Sequence, residues 1–183
     1  MNDLKLGRVI AVDNQPYIIL SAQHVQMGRG GAILRTKIKN LISGRVLEKT
    51  YKSGDKIDEA DLTYQKSSFL YREGNNFYFM DSENYEQFFL NKENIGSAQD
   101  YLKEGLEVKT MLFRNKPVAI ELPKKIELKV IQTEPGIRGD TAQGSVTKPA
   151  TMETGCQINV PLFINQGNLV RVNTETGQYV ERV

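Results

Sequence analysis

Apolar and polar residues alternate in short bursts along this chain, and a turn signal closes most bursts. Val118, Ile120 and Leu122 alternate, as do Ile126, Leu128 and Val130, and then Ile158, Val160, Leu162 and Ile164. A period of two over four to eight residues is the pattern of a strand with one buried face. Arg72–Asn76 falls between FLY and FYFM, Arg114–Pro117 between VKTMLF and VAIEL, and Asn165–Asn168 between NVPLFI and LVRV. Each reads as a hairpin connection. Many short strands at close intervals predict an all-β chain of small barrels or sandwiches. Helical signal is confined to two short stretches, Asp81–Leu90 with Ser82 as N-cap, and Ser97–Glu104 closed by Gly105.

Two breaks divide the strands. One lies near Asp61–Tyr64, after the polar run SGDKIDEAD, and the other at Pro123-Lys124-Lys125. Proline is poorly suited to a central strand, so Pro123 marks an edge or an end. The predicted domains are residues 1–63, 64–126 and 127–183. Pieces of this size sit near the lower limit for an independent core, so neighbours are expected to support one another.

The net charge of +2 says little, but its distribution says more. Residues 1–63 hold ten basic and seven acidic side chains, whereas the middle third is balanced and the last third slightly acidic. No acid occurs between Asp13 and Glu48, a window that contains Arg29, Arg35, Lys37, Lys39 and Arg45. A basic window on an otherwise balanced chain suits a polyanionic partner. Within it, Tyr17–Leu20 and Ala32–Leu41 read as strands, joined through Gly28, Gly30 and Gly31. Arg29 is the one side chain inside that glycine cluster, and a long cation on a bare loop can enter a narrow crevice. On the second strand, Arg35, Lys37 and Lys39 share one face and Leu34, Thr36 and Ile38 the other. Successive cations on such a face stand about 6.5–7 Å apart, a spacing that can follow a phosphate backbone.

Several function classes find no support. The chain has one histidine, His24, and one cysteine, Cys156, so neither a disulfide framework nor a multi-cysteine zinc site is available. No phosphate-binding G-x-x-x-x-G-K-[ST] loop or Rossmann spacing occurs, and no Ser/His/Asp set assembles around His24. Cys156 reads as a small core residue. The expectation is a binding and positioning protein, not an enzyme, with no cofactor and no metal. No apolar run is long enough to span a membrane, and the opening MNDLKLGRVIAVD carries no apolar signal region, so a cytoplasmic location is expected.

Residues 148–167 carry the most specific pattern: Lys148-x-Ala150, then Gly155, Ile158, Val160-Pro161, Ile164 and Gly167. This pattern resembles the signature of the bacterial elongation factor P family. Gly139-Asp140-Thr141-Ala142, Arg35–Leu41, Val46-x-Glu48-Lys49-Thr50 and the tail Gly177-x-Tyr179-Val180-x-Arg182-Val183 look like the same family. The resemblance spans essentially the whole chain. It implies three small β-barrels in an L shape, an SH3-like (KOW-type) barrel followed by two OB-folds. It also implies a monomer that acts on the bacterial ribosome between the peptidyl-tRNA and exit sites, relieving stalls at consecutive prolines. By position, the loop tip that reaches the peptidyl-tRNA is Gly28-Arg29-Gly30. Gly139, Asp140 and Thr141 would lie near the exit-site codon, and Tyr179 and Arg182 would contact the small subunit. Many relatives carry Lys-Pro-Gly-Lys-Gly where this chain has Gln26-Met27-Gly28-Arg29-Gly30. A guanidinium cannot accept lysine-type modification, which leaves two readings open: Arg29 rhamnosylated by a modifying enzyme, or Arg29 unmodified. The alternatives are a paralogue with another ribosomal task and a general single-strand RNA-binding OB-fold protein.

Overall fold

A computed structural model describes residues 4–27, 31–135 and 147–183 of the chain. It is an all-β architecture of three five-stranded, curled sheets. The first contains β1 (Val9–Val12), β2 (Gln15–Met27), β3 (Gly31–Asn40), β4 (Val46–Lys52) and β5 (Asp58–Glu59), in the order β4-β3-β2-β1-β5. The second contains β6 (Leu62–Glu73), β7 (Asn76–Asp81), β8 (Gln87–Asn91), β9 (Glu107–Phe113) and β10 (Lys116–Glu121), in the order β10-β9-β6-β7-β8. The third contains β11 (Lys125–Thr133), β12 (Thr147–Met152), β13 (Gln157–Pro161), β14 (Leu169–Asn173) and β15 (Gln178–Arg182), in the order β13-β12-β11-β14-β15. The chain packs as two compact units, residues 1–65 with 110–119, and residues 66–109 with 120–183.

In the first unit, Ile10, Val12, Ile19, Leu34, Ile38 and Tyr51 build one core. Leu41, Met111, Phe113, Val118 and Ala119 build a second, with Val9, Ile18 and Leu62 packed on it. In the second unit, Phe69, Phe77, Phe79, Leu90 and Val108 form an aromatic-rich core. Leu128, Val130, Met152, Val160, Val170 and Val172 form an aliphatic one. Tyr101 and Leu106 pack against this last core from the segment between β8 and β9. The same segment supplies Lys103, whose ammonium donates to the carbonyl of Glu127 at 2.6 Å and lies 3.5 Å from the Glu153 carboxylate. That carboxylate also accepts the Lys129 backbone N–H at 3.0 Å. The second and third sheets are therefore joined by packing and by hydrogen bonds.

Several turns follow from local chemistry. Glu73 pairs with Asn76 across the two-residue loop Gly74-Asn75, and Gly74 has φ +58°. Asp13-Asn14 and Arg114-Asn115 occupy the left-handed region at both positions, the backbone of a hairpin turn whose twist matches its strands. The Arg72–Asn76 and Arg114–Pro117 turns are thus hairpins.

Three readings of the sequence are corrected. Asp81–Leu90 is not a helix. Asp81 accepts the Glu83 N–H, Asn84 accepts the Glu86 N–H and Tyr85 has φ +62°, so the chain reverses and Gln87–Asn91 pairs with β7. Local Asx bonds compete with helix here, and the period-two burial of Phe88 and Leu90 decides for strand. The second helical stretch begins earlier than expected, as one turn at Lys92–Ile95 followed by a 3-10 turn at Gly96–Tyr101. Asn165–Asn168 does not close a hairpin, because β13 and β14 are not neighbours. This loop instead docks on β11, where the Val130 N–H donates to the Asn168 carbonyl and the Gly167 N–H to the Val130 carbonyl. Ile164 is fully buried beneath it.

Phe79 is fully buried and contacts both Phe69 and Phe88 through its ring. Phe79→Ala should cost about 3–5 kcal/mol of the second unit's stability, the scale of an emptied aromatic site. Chemical denaturation followed by tyrosine fluorescence measures it.

Candidate nucleic-acid interface

β2 and β3 form the longest hairpin of the first unit. Their pairing runs from Tyr17–Asn40 to Met27–Gly31, with one bulge between Ile19 and Ser21. β1 covers β2 only over Gln15–Ile18, and β4 covers β3 only over Ile33–Lys39. The last two pairs, Gln26–Ala32 and Met27–Gly31, therefore extend past both flanking strands. The tip itself, Gly28, Arg29 and Gly30, lies outside the described residues.

Alternation along β3 fixes the direction of each side chain. Leu34, Thr36, Ile38 and Asn40 are buried. Thr36 satisfies its hydroxyl on the Lys49 carbonyl at 2.7 Å. Asn40 donates to Gln15 at 2.5 Å and accepts the Ile42 and Ser43 N–H groups, which turns the chain into β4. With these four held inward, Arg35 and Lys37 are exposed and Lys39 half-buried on the opposite face. The three predicted cations are thus brought together in one row. Arg45, also exposed, follows at the turn that closes with Asn40 N–H on the Arg45 carbonyl.

The β3–β4 register adds two residues that sequence reasoning missed. Lys52 stands opposite Ile33 and is exposed, so it extends the cationic face toward the hairpin tip. Glu48 stands opposite Lys37 and places a carboxylate in the middle of the face. Only the pairing register discloses them, since alternation within one strand cannot tell which neighbour lies alongside. Lys49 belongs to the other face, with its ammonium 5.5 Å from the centre of the Tyr51 ring. Burial and then Asp55 push the Tyr51 hydroxyl up from its ordinary pKa, so it stays neutral. His24 is exposed opposite Leu34.

The third-sheet candidates lie in the other unit. Tyr179 packs on the aliphatic core opposite Val172. Arg182 is exposed on β15, with its guanidinium 5.9 Å from the centre of the Phe163 ring. Phe163 is itself largely exposed, a neighbour that the sequence reading did not single out. Gly139, Asp140 and Thr141 lie outside the described residues. The strands on either side of them are tied together: Lys148 is buried and donates to the Glu134 carbonyl at 2.6 Å, and the Thr133 hydroxyl donates to the Pro149 carbonyl. Cys156 is half-buried against the core, and burial pushes its thiol up, which makes it a poor nucleophile. Among the described residues no cluster of His, Cys, Asp and Glu could hold a metal ion, and no helix is long and apolar enough to cross a membrane.

Family models place this architecture. Residues 1–57 match the elongation factor P KOW-like domain, residues 62–120 the elongation factor P OB domain, and residues 126–182 the elongation factor P C-terminal domain. Elongation factor P of Coprothermobacter proteolyticus is 46% identical over 182 residues, covering 100% of this chain and 97% of that protein. The chain belongs to the elongation factor P family. Elongation factor P of Moorella thermoacetica is 45% identical over 181 residues, covering 99% of this chain and 97% of its own length. That of Carboxydothermus hydrogenoformans is 44% identical over 182 residues, covering 100% and 98%. The all-β fold is accordingly a KOW-like domain with OB domains.

Glu48 sits among cations, and its effect on a polyanion is repulsive. Glu48→Gln should tighten binding to RNA roughly two- to fivefold at low salt, the scale of one exposed charge pair, and the gain should vanish at high salt. Filter binding to a structured RNA at two ionic strengths measures both.

Proposed function

We propose that this protein is a translation elongation factor that binds the ribosome between the peptidyl-tRNA and exit sites and speeds peptide-bond formation at consecutive prolines. Membership of the elongation factor P family supports the translational role. The observation that carries the finer reading is the β2–β3 hairpin, which outruns its flanking strands and holds Arg35 and Lys37 exposed on one face. In this reading Arg29, between Gly28 and Gly30, braces the CCA end of the peptidyl-tRNA. Arg35, Lys37 and Lys39 grip nearby phosphates, which supplies affinity and register without reading sequence. Gly139, Asp140, Thr141, Tyr179 and Arg182 face the small subunit near the exit-site codon. The three modules 1–63, 64–126 and 127–183 act together as a monomer.

Proline is a slow partner in peptide-bond formation. Holding the peptidyl-tRNA end in a reactive geometry removes part of the entropic barrier, which reaches several kcal/mol in well-oriented systems. The ribosome performs the chemistry, and this protein, not itself an enzyme, supplies position. Unmodified, the Arg29 side chain offers five donors in a planar fork to phosphate or a base edge. Intact mass of the protein from its native cell distinguishes a rhamnosylated from an unmodified Arg29.

Arg29→Ala should abolish most of the rescue of a three-proline template in a reconstituted translation assay, while leaving a proline-free template unaffected. Unchanged rescue removes Arg29 from the mechanism. Lys37→Gln should weaken ribosome binding at low salt and lower the salt slope by about 1, the signature of one lost phosphate contact. A salt-independent loss points to damaged folding instead.

A further inference from the structure

On the outer face of the second sheet, three rings lie side by side across adjacent strands. Tyr71 on β6 stands opposite Tyr78 on β7, and Tyr78 stands opposite Phe89 on β8. Tyr71 and Tyr78 stack at 4.7 Å between ring centres with 18° between planes. Tyr78 and Phe89 are 5.9 Å apart and tilted by 43°. The core beneath does not need them, because the alternate positions Phe69, Phe77, Phe79 and Leu90 already fill it. Yet Tyr71 is 48% and Phe89 54% exposed. Cross-strand stacking alone stabilises a sheet by at most about 1 kcal/mol per pair. A contiguous exposed aromatic row on a folded domain is more often an interaction surface than a scaffold feature.

The residues around the row define what it can hold. Ser68, Met80 and Gln87 flank it on one side, and Asn76, Asn91 and Glu73 on the other. None of these positions carries a cation. Arg72 points to the other side, with its guanidinium 5.2 Å from the centre of the buried Phe77 ring. Glu73 accepts the Tyr78 hydroxyl at 3.3 Å, and the turn that leads into β8 carries the exposed Glu83. Single-stranded RNA would find rings to stack on, but the flanking positions offer it a carboxylate, Glu73, in place of the cations that such sites use along the backbone, and Lys66 stands two residues beyond Ser68. An extended protein segment meets the opposite case. Prolines in a polyproline II conformation present compact apolar rings to aromatic faces and leave their carbonyls free for amide and hydroxyl donors. Tyr71, Asn76, Gln87 and Asn91 supply such donors, and the Glu73 carboxylate favours a flanking Arg or Lys. We propose that the Tyr71–Tyr78–Phe89 row is a docking surface for an extended, proline-containing basic segment of a partner protein.

The test of this surface is independent of the polyproline assay. The isotope-labelled full chain would be titrated in NMR with three probes: a proline-rich dodecapeptide carrying two arginines, the same peptide with glutamates in their place, and decauridine. The arginine peptide should shift the ring signals of Tyr71, Tyr78 and Phe89 first. Affinity should fall by about an order of magnitude in Phe89→Ser, fall in Glu73→Lys, and be weaker for the glutamate peptide. Glu73→Lys removes no apolar contact, so it reports on the site even if the aromatic variant fails to fold. No shift at the three rings up to millimolar arginine peptide overturns the proposal. So does a response of the rings to decauridine but not to the peptide.

Discussion

The register between β2, β3 and β4 is the constraint on which the first unit depends. Ile38 faces Ile19 on one side and Leu47 on the other, and Leu34 faces Tyr51. A slip of one residue would turn Arg35 and Lys37 into the core and Leu34 and Ile38 into water. Burying an unpaired cation is far costlier than exposing a leucine, so the register is held by both faces at once. Thr36 and Asn40 reinforce it from within, since each is a buried polar residue with a side-chain bond to a neighbouring strand, Thr36 to the Lys49 carbonyl and Asn40 to Gln15. The cationic row thus follows from what the core accepts.

The second unit is built differently. Its two cores share the Tyr101–Leu106 segment, which closes one barrel and reaches the next through Tyr101, Lys103 and Leu106. Gly177 lies close by with φ +69°, and a Cβ there would stand 3.0 Å from the Tyr101 hydroxyl. On β14 and β11, Arg171 pairs with Glu127 at 2.7 Å and with Glu181, an exposed network whose main effect is to align three strands. These features explain how domains of such modest size persist: neighbouring barrels share surface that neither could bury alone.

Much of this was legible in the sequence. Alternation at Ile126–Val130 placed a strand where it occurs, and that at Ile158–Ile164 placed one that ends at Pro161, because each has one core face and one wet face. The row Arg35, Lys37 and Lys39 was legible for the same reason. The failures share a cause too. Asp81–Leu90 has aromatic residues at spacings that suit helix or strand, and only the Asx bonds at Asp81 and Asn84 with the neighbouring β7 decide between them. The loop at Asn165–Asn168 has hairpin composition, but composition does not say which strands are adjacent. Glu48, Lys52 and the Tyr71–Tyr78–Phe89 row depend on cross-strand register, which no single strand encodes.

The central claim is that the extended hairpin delivers a cationic face and its tip to the acceptor end of peptidyl-tRNA. Cryo-electron microscopy of the full chain on ribosomes stalled at consecutive prolines tests it most directly. The account predicts density for the β2–β3 hairpin pointing at the CCA end, with Arg35 and Lys37 against tRNA phosphates. A map in which that face meets solvent, and another surface of the first unit contacts the tRNA, would contradict it.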